Sequence, residues 1–549
     1  MLNRRVSWIF LGAAAANCAF QIAWFWRFRA HNITMDAINY IGLARHLLDG
    51  NFTASLHGYW SPLLTWLIAA GSLFTHDFTL LGRVITIASL IACLPLLYAL
   101  AYRLWHSHLT ASFTVLWFST ARGVIAGAVT TIQADFLFAV CTLTYFILLL
   151  DCLRKGTKLK WLLLGLVHAV AFTAKAIAMP WLSVTTVLAV LTSRVTSLRT
   201  KAVLLLLAFL APCAMWVTWG EVLKTKYGVF MTGYQLKANL MRNLKRELTH
   251  YENGNPYDFV DVSYDEYTVV EEWPAIRQFK LMNPALVRVI LKSESRNLPA
   301  AFKETAILLS PGGLLALLVG LVLLTRHRSS HSAETGTAWI SVIGSAALLG
   351  AYGMLVFDGR YVWPITPILM AVASYFMAPG EAGTQDELRP TPFLRKASVG
   401  LLVASTIFFA SYWASPFRTT DRDFEISCYR ASALLKGAQP AVETFVSIGN
   451  GPYPDHGVGF EVGPYVAYLS GRHLLALNSA LPETGQATQL ASAVLSKKAD
   501  AVLVWGLPGN RTYQAIVSQL RNSPGASLDQ VITDPSMGEV GRVVFFSQR

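Results

Sequence analysis

Apolar residues fall into long runs at 6–26, 79–102, 110–128, 134–153, 160–174, 177–193, 201–221, 304–325, 336–356, 361–378 and 397–415, separated by polar segments. A bilayer-crossing helix needs about 20 mostly apolar residues, so the pattern predicts about 11 transmembrane helices. The runs 160–174 and 177–193 are short and meet at Lys175. A further run, 61–76, contains Pro62 and ends in His76-Asp77, which predicts a re-entrant or interfacial helix rather than a span. The first run follows Arg4 and Arg5, as a signal peptide would. It is too long for a signal-peptide core and lacks a small-x-small cleavage site before Arg27, so it reads as a retained span.

The polar segments set the topology. With the N-terminus inside, the inner loops carry Arg103; Arg154, Lys155, Lys158 and Lys160; Arg194, Arg199 and Lys201; Arg326 and Arg328; and Arg389, Arg395 and Lys396. The outer segments carry few basic residues, among them Arg122, Lys175 and Arg360. This is the positive-inside distribution. Counting 61–76 as a full span would move the basic loop 154–160 outside, and the charge pattern opposes that. An odd number of spans places the tail outside. The expected domains are a membrane domain, 1–415, and a small extracytoplasmic α/β domain, 416–549. The membrane domain includes a first outer loop at 27–78 and a large, acidic, Tyr-rich outer loop at 222–303. In the tail, the strand-like runs Thr444–Ile448, Ala501–Trp505 and Val543–Phe546 alternate with the helix-like runs 489–497 and 512–521.

Composition agrees with a membrane protein. Hydrophobic residues make up 54% of the 549 positions and charged residues only 14%. Soluble domains carry about 25% charged residues. The net charge of +13 resides mostly in inter-span loops, so it reads as topology and affinity for anionic lipid, not for nucleic acid. The six cysteines form no CxxC, which supports neither a disulfide framework nor a zinc site. A metal-independent protein is the default expectation; a divalent ion finds no ligand cluster in the sequence.

A few polar residues in apolar surroundings need a reason. Asp36, in "HNITMDAINYIGLARHLL", follows the first span. It fits both a helix N-cap and a catalytic carboxylate. Ala37, Ile41, Ala44 and Leu48 share one face of the following helix, which could lie flat on the membrane. Asp135 opens the fourth span, where a cap complementing the helix dipole and a functional carboxylate are both open readings. Lys175, between two apolar runs, is either a snorkelling lysine or a phosphate anchor. Asp358, Arg360 and Tyr361 precede Pro364 and Pro367. They read as a local ion pair with belt aromatics, or as a guanidinium fork for phosphate oxygens. In "LHGYWSPLLTW", Tyr59 and Trp60 are interfacial aromatics or platforms for a sugar ring.

The charge-derived topology puts Asp36, Asp135, Lys175 and Arg360 at one membrane face. Two cations and two carboxylates there suit one chemistry. The cations hold a lipid-linked phosphate, and a carboxylate deprotonates an acceptor as it attacks a sugar carbon.

The motifs also resemble a known superfamily. "D-x-x-x-Y-x-x-x-A" (Asp36, Tyr40, Ala44), then "G-x-F" and "SPLLTWL", is similar to the first outer loop of GT-C fold glycosyltransferases. A second Asp opening a later span, the Thr173-x-Lys175 turn, and "RY-x-x-P-x-x-P" (Arg360 to Pro367) follow in that order. The branch most resembled is the bacterial group of protein O-mannosyltransferase-like and lipid A aminoarabinose transferase-like enzymes. The resemblance implies a sugar transferase of the bacterial inner membrane. It would use a polyprenyl-phosphate-sugar donor, an outer-face glycan, lipid or protein acceptor, and inversion at the anomeric carbon. It makes Asp36 the candidate general base and Asp135 a second acid that orients the acceptor or Asp36. Lys175 and Arg360 become donor-phosphate ligands. Tyr40, Tyr59, Trp60 and Tyr361 are the substrate-binding candidates. The chain departs from the pattern at Asp36-Ala37, where protein mannosyltransferases carry Asp-Glu. It departs again at Trp60-Ser61 before Pro62, where aminoarabinose transferases carry Glu-Lys.

Three rival readings remain. A transporter or flippase predicts ionisable residues at mid-span and related halves; here they cluster at span ends, and no repeat is evident. A surface-polysaccharide polymerase or ligase predicts outer Arg/His clusters, whereas "RHRSSH" (Arg326–His331) lies inside. A scaffold without activity is opposed by the presence of Asp36, Lys175 and Arg360.

Overall fold

The structure is a computed structural model. It describes residues 2–26, 34–193, 197–248, 263–264, 277, 284–326, 333–353, 359–377, 400, 403, 420–438, 442–448, 466–467, 469–476, 492, 495, 499–534 and 538–546. Asp358, nearly all of the expected span 397–415 and most of the helix-like run 489–497 lie outside these residues. Two units are distinguished. One comprises Met1–Arg29, Leu56–Arg246 and Glu272–Ala414, and the other Ala30–Ser55, Glu247–Glu271 and Ser415–Arg549.

The first unit is built from apolar helices. Among the described residues, five are long and apolar enough to cross a membrane: Arg4–Trp26, Phe78–Trp105, Asp135–Arg154, Leu198–Tyr227 and Thr335–Gly353. A sixth span results if His108–Ser119 and Gly123–Thr130, bent by 62°, count as one. That pair occupies the run read as one continuous span at 110–128. The break leaves backbone carbonyls free inside the apolar layer, where each needs a donor. Side chains from neighbouring helices supply them. Asn17 and Gln21 both donate to the Ser119 carbonyl at 2.8 Å. At the far end of the second helix, Arg83, only 1% exposed, donates to the carbonyls of Val129 and Thr130.

Two other expected spans are also interrupted. The helix Pro284–Arg326 is kinked at Ser310, whose φ of 65° lies outside the helical region. Pro311 explains the place, because a proline drives the preceding residue out of helical geometry. The Ser310 hydroxyl then accepts from the Gly313 amide at 3.2 Å and caps the continuing helix. The run 361–378 forms a 3-10 turn, Gly359–Val362, a short helix, Thr366–Ala373, and a second 3-10 turn, Ser374–Met377. The run 61–76 contains the ten-residue helix Pro62–Gly71, about 15 Å long and too short to cross the hydrocarbon core.

Packing relies on small residues and buried indoles. A Cβ on Gly165 would lie 2.4 Å from the Ala208 carbonyl, so the helices Lys158–Ala174 and Leu198–Tyr227 cross backbone to backbone. The Trp105 and Trp181 indoles donate to the Ala371 and Gly344 carbonyls, each at 2.6 Å.

In the second unit, six strands among the described residues form one sheet of order β1-β3-β2-β4-β6-β5. They are β1 (Ser263–Tyr264), β2 (Thr444–Ile448), β3 (His473–Ala476), β4 (Ala501–Trp505), β5 (Ala526–Asp534) and β6 (Gly538–Phe546). β2 runs parallel to β3 and β4, while β6 is antiparallel to β4 and β5. β4 is buried along its length, as a central strand covered on both faces must be. The helix Arg511–Arg521 buries Tyr513, Ile516, Val517 and Leu520 on one stripe against Val446, Val502, Val504 and Val544. β1 comes from the large loop and pairs antiparallel with β3, so a segment remote in sequence completes the sheet.

Candidate active site

The helices Asp135–Lys155 and Lys158–Ala174 are joined by a short turn and pack as an antiparallel hairpin. Their lengths return Lys175 to the level of Asp135. Lys175 Nζ sits 2.5 Å from Asp135 Oδ1, with only 12% and 4% of the two side chains exposed. Lys175 ends its helix with extended backbone, and its amide still donates to the Ala171 carbonyl. The N-cap position of the first helix belongs to Ala134, which makes no side-chain cap. Asp135, one residue in, therefore turns its carboxylate to the lysine rather than to its own backbone, with the positive helix end behind it.

Aromatic rings cover the ammonium. Lys175 Nζ lies 4.8 Å from the Tyr361 ring centroid and 5.6 Å from that of Tyr352. These two rings stack at 4.2 Å with 14° between their planes. The Arg360 guanidinium lies 5.7 Å from the Tyr361 ring. Both cations thus lie within cation–π range of the Tyr361 ring. The turn carrying Arg360 packs tightly. A Cβ on Gly359 would come within 3.3 Å of the Glu304 carboxyl, and one on Gly127 within 2.1 Å of the Trp363 ring.

The loop Leu56–Ser61 adds an aromatic wall. Tyr59 and Trp60 meet edge to face at 4.5 Å. The Tyr59 hydroxyl donates to Asn239 Oδ1 at 3.1 Å. The Tyr59 amide donates to His57 Nδ1 at 3.0 Å, so that nitrogen keeps its lone pair. His57 Nε2 faces the Tyr234 hydroxyl at 3.3 Å. Tyr227 and Tyr234 clamp Gly58 from both sides: the Gly58 amide donates to the Tyr227 hydroxyl, and the Tyr234 amide donates to the Gly58 carbonyl. A Cβ on Gly58 would fall 2.4 Å from the Tyr234 ring. Ser61 accepts from the Ala176 amide at 3.1 Å, which ties this loop to the turn that carries Lys175.

Asp36 and Tyr40 belong to the second unit. Thr34, not Asp36, is the N-cap of the helix Met35–Leu48, and its hydroxyl accepts from the Ala37 amide. Asp36 lies in the first turn and is partly exposed. Residues Ala37–Ala44 are buried on every side, Tyr40 included, so this helix does not rest one face on a membrane surface.

Asp135, Lys175, Tyr361 and Arg360 are therefore brought together, with Tyr59 and Trp60 connected through Ser61. Several participants had no sequence signal: Tyr352, His57, Tyr234, Asn239 and Glu304. Gln133 is 4% exposed; its amide donates to Thr131 at 2.6 Å, and its carbonyl oxygen has no partner among the described residues. One signal was available. Two adjacent helices of similar length with a short turn imply that Asp135 and Lys175 share an end. Among the described residues, no three His, Cys, Asp or Glu side chains form a group able to hold a metal.

No protein-family model matches the chain, and no curated protein matches it in sequence. Solved structures do. The crystal structure of ArnT from Cupriavidus metallidurans bound to undecaprenyl phosphate matches over 97% of this chain and 98% of its own, at 14% identity and a TM-score of 0.52. Its apo form matches with 97% of both chains covered, at 13% identity and the same TM-score. The chain has the GT-C fold. In this chain Ser61, the residue before Pro62, anchors the Lys175 turn through a neutral hydrogen bond.

Proposed function

We propose that this protein is a membrane glycosyltransferase that moves a sugar from a polyprenyl-phosphate carrier to an acceptor at the outer face of a bacterial inner membrane. The carrying observation is the buried Asp135–Lys175 pair under Tyr361, with Arg360 on the same ring. That is a cationic, aromatic-walled site at the end of apolar helices, suited to a phosphate entering from lipid. The GT-C fold, shared with a structure holding undecaprenyl phosphate, supports the carrier class.

In this reading Arg360 and Lys175 hold the donor phosphate. Asp36 takes the proton of an acceptor hydroxyl or amine. The acceptor atom attacks the anomeric carbon, and the bond from that carbon to the phosphate oxygen breaks with inversion. The negative charge developing on the departing phosphate is met by the two cations. Asp135 aims the Lys175 ammonium, and the Tyr59–Trp60 wall offers a stacking face to the sugar. In this reading the two cations supply positive charge of the kind a metal ion would otherwise bring. The outer-face assignment rests on the distribution of Lys and Arg between loops.

Binding of sugar-free polyprenyl phosphate to the protein in nanodiscs tests this reading. Wild type is expected to bind it, and Arg360→Gln to bind about tenfold more weakly, the worth of one charge-assisted hydrogen bond. No binding by wild type, or equal binding by Arg360→Gln, would overturn it.

A further inference from the structure

The helices Leu2–Trp26, Phe78–Trp105 and His108–Ser119 border a half-open cavity of about 590 Å³, within the usual range of ligand sites. Its lining changes character along the helix axes. Arg4, Ser7, Tyr98 and His108 line one end, and Leu11 and Leu94 lie deeper. The chain directions agree with this order. Two of the helices begin at the polar end, the third finishes there, and Tyr98 and His108 are joined at 2.6 Å. From residue 4 to residue 15 the first helix rises about 16 Å. That is close to half of a hydrocarbon core of about 30 Å. Along the first helix, the lining therefore reaches about as far as one leaflet.

Positive charge gathers at this end of the helices. Arg4 lines the cavity and is exposed. At the same end Arg154 donates to the Arg103 carbonyl and meets His106 Nε2 at 2.9 Å. Asp151 offsets part of this charge, 3.6 Å from Arg103. The Asp135–Lys175 pair lies at the other end of the bundle, since Asp135 opens the helix whose last turns carry Arg154. The cavity and the candidate active site thus face opposite leaflets.

We propose that this cavity binds one phospholipid with an anionic headgroup. Arg4 meets the phosphate, and the Tyr98–His108 pair offers a polar contact beside it. An acyl chain fills the apolar depth between Leu11 and Leu94. The match between cavity depth and leaflet depth, with cations confined to the headgroup level, selects a leaflet lipid over a water-soluble phosphate.

Native mass spectrometry of the full chain released from nanodiscs tests the proposal. The nanodiscs would contain equal amounts of phosphatidylglycerol and phosphatidylcholine. Wild type is expected to retain one phosphatidylglycerol in preference to phosphatidylcholine. Arg4→Gln, at an exposed position, should lower that preference about tenfold. Leu11→Trp, which fills the cavity, should abolish retention while thermal unfolding shows the variant folded. A wild type that retains no lipid, or shows no headgroup preference, would overturn the proposal. So would a folded Leu11→Trp variant that retains lipid as wild type does. The outcome is independent of sugar transfer, which is read at the other leaflet.

Discussion

Lys175 answers to two partners. Asp135 holds it in the resting structure, and the donor phosphate competes for the same ammonium in the proposed reaction. A buried pair loses about 3–5 kcal/mol when one member is removed, because the other is left charged and unpaired. Asp135→Asn and Lys175→Met should each destabilise the protein on that scale, measured by unfolding in detergent. The double variant Asp135→Leu/Lys175→Met should regain most of the loss yet bind no donor. A double variant as unstable as the singles would remove the ion pair from the account of stability. Gly58 makes a sterically separate point. Its missing Cβ leaves room for the Tyr234 ring. Gly58→Ala should cost about 1–3 kcal/mol through overpacking and weaken donor binding by displacing Tyr59, although residue 58 carries no chemistry. At this scale the sequence names Asp135, Lys175, Arg360 and Tyr361 from their polarity and sidedness. It does not show that the two charges pair, nor that Thr34 rather than Asp36 caps its helix. Both depend on side-chain direction, which a pattern of residue types does not encode.

Among the elements, long uninterrupted helices are legible because length and apolarity alone define them. Phe78–Trp105 and Leu198–Tyr227 contain the expected runs and extend beyond them at both ends, farthest at the end of Leu198–Tyr227. The breaks are harder to read. Hydropathy is blind to the turn at Thr120–Ala121, since apolar residues continue through it. What sustains the break is donors about a hundred positions away, Asn17 and Gln21 on the Ser119 carbonyl. Ser310-Pro311 did carry a local signal, a proline with the residue before it forced out of the helix. The turn bearing Arg360 is positioned by Trp363 against Gly127. Gly127→Leu should therefore reduce donor binding without altering any charge, checked alongside thermal unfolding. In the sheet, Arg542 holds Glu539 below the usual carboxylate range by hydrogen bonding, with Tyr513 as a further donor to the same carboxylate. A depressed carboxyl stabilises the fold above its unfolded value of about 4.5 and loses that contribution as pH falls through the folded value. Hydrogen exchange of β6 should accordingly accelerate on acidification below that point, and Arg542→Gln should lessen the change. An unchanged pH response in Arg542→Gln would contradict the assignment.

For the whole molecule, the charge distribution is the most informative feature of the sequence. It separates Arg103 and Arg154 from Asp135, Lys175 and Arg360, and the helix directions place the Arg103–Arg154 contact and the Asp135–Lys175 pair at opposite ends of the bundle. The cross-chain sheet was not legible. Two residues of the large loop, Ser263–Tyr264, complete the edge beside β3, a pairing across more than two hundred positions with no local signature. Orientation has its own check: a reporter enzyme active only outside the cytoplasm, fused after Arg549, should be active.

The central claim is sugar transfer from a polyprenyl-phosphate donor with Asp36 as base. The most direct measurement is release of radiolabelled sugar from such donors by purified wild type and Asp36→Asn in nanodiscs, with donor binding measured in parallel. The expected result is turnover by wild type, and in Asp36→Asn unchanged donor binding with transfer lost. Undiminished transfer by Asp36→Asn, or a wild type that neither binds nor turns over any donor in a broad panel, would contradict it.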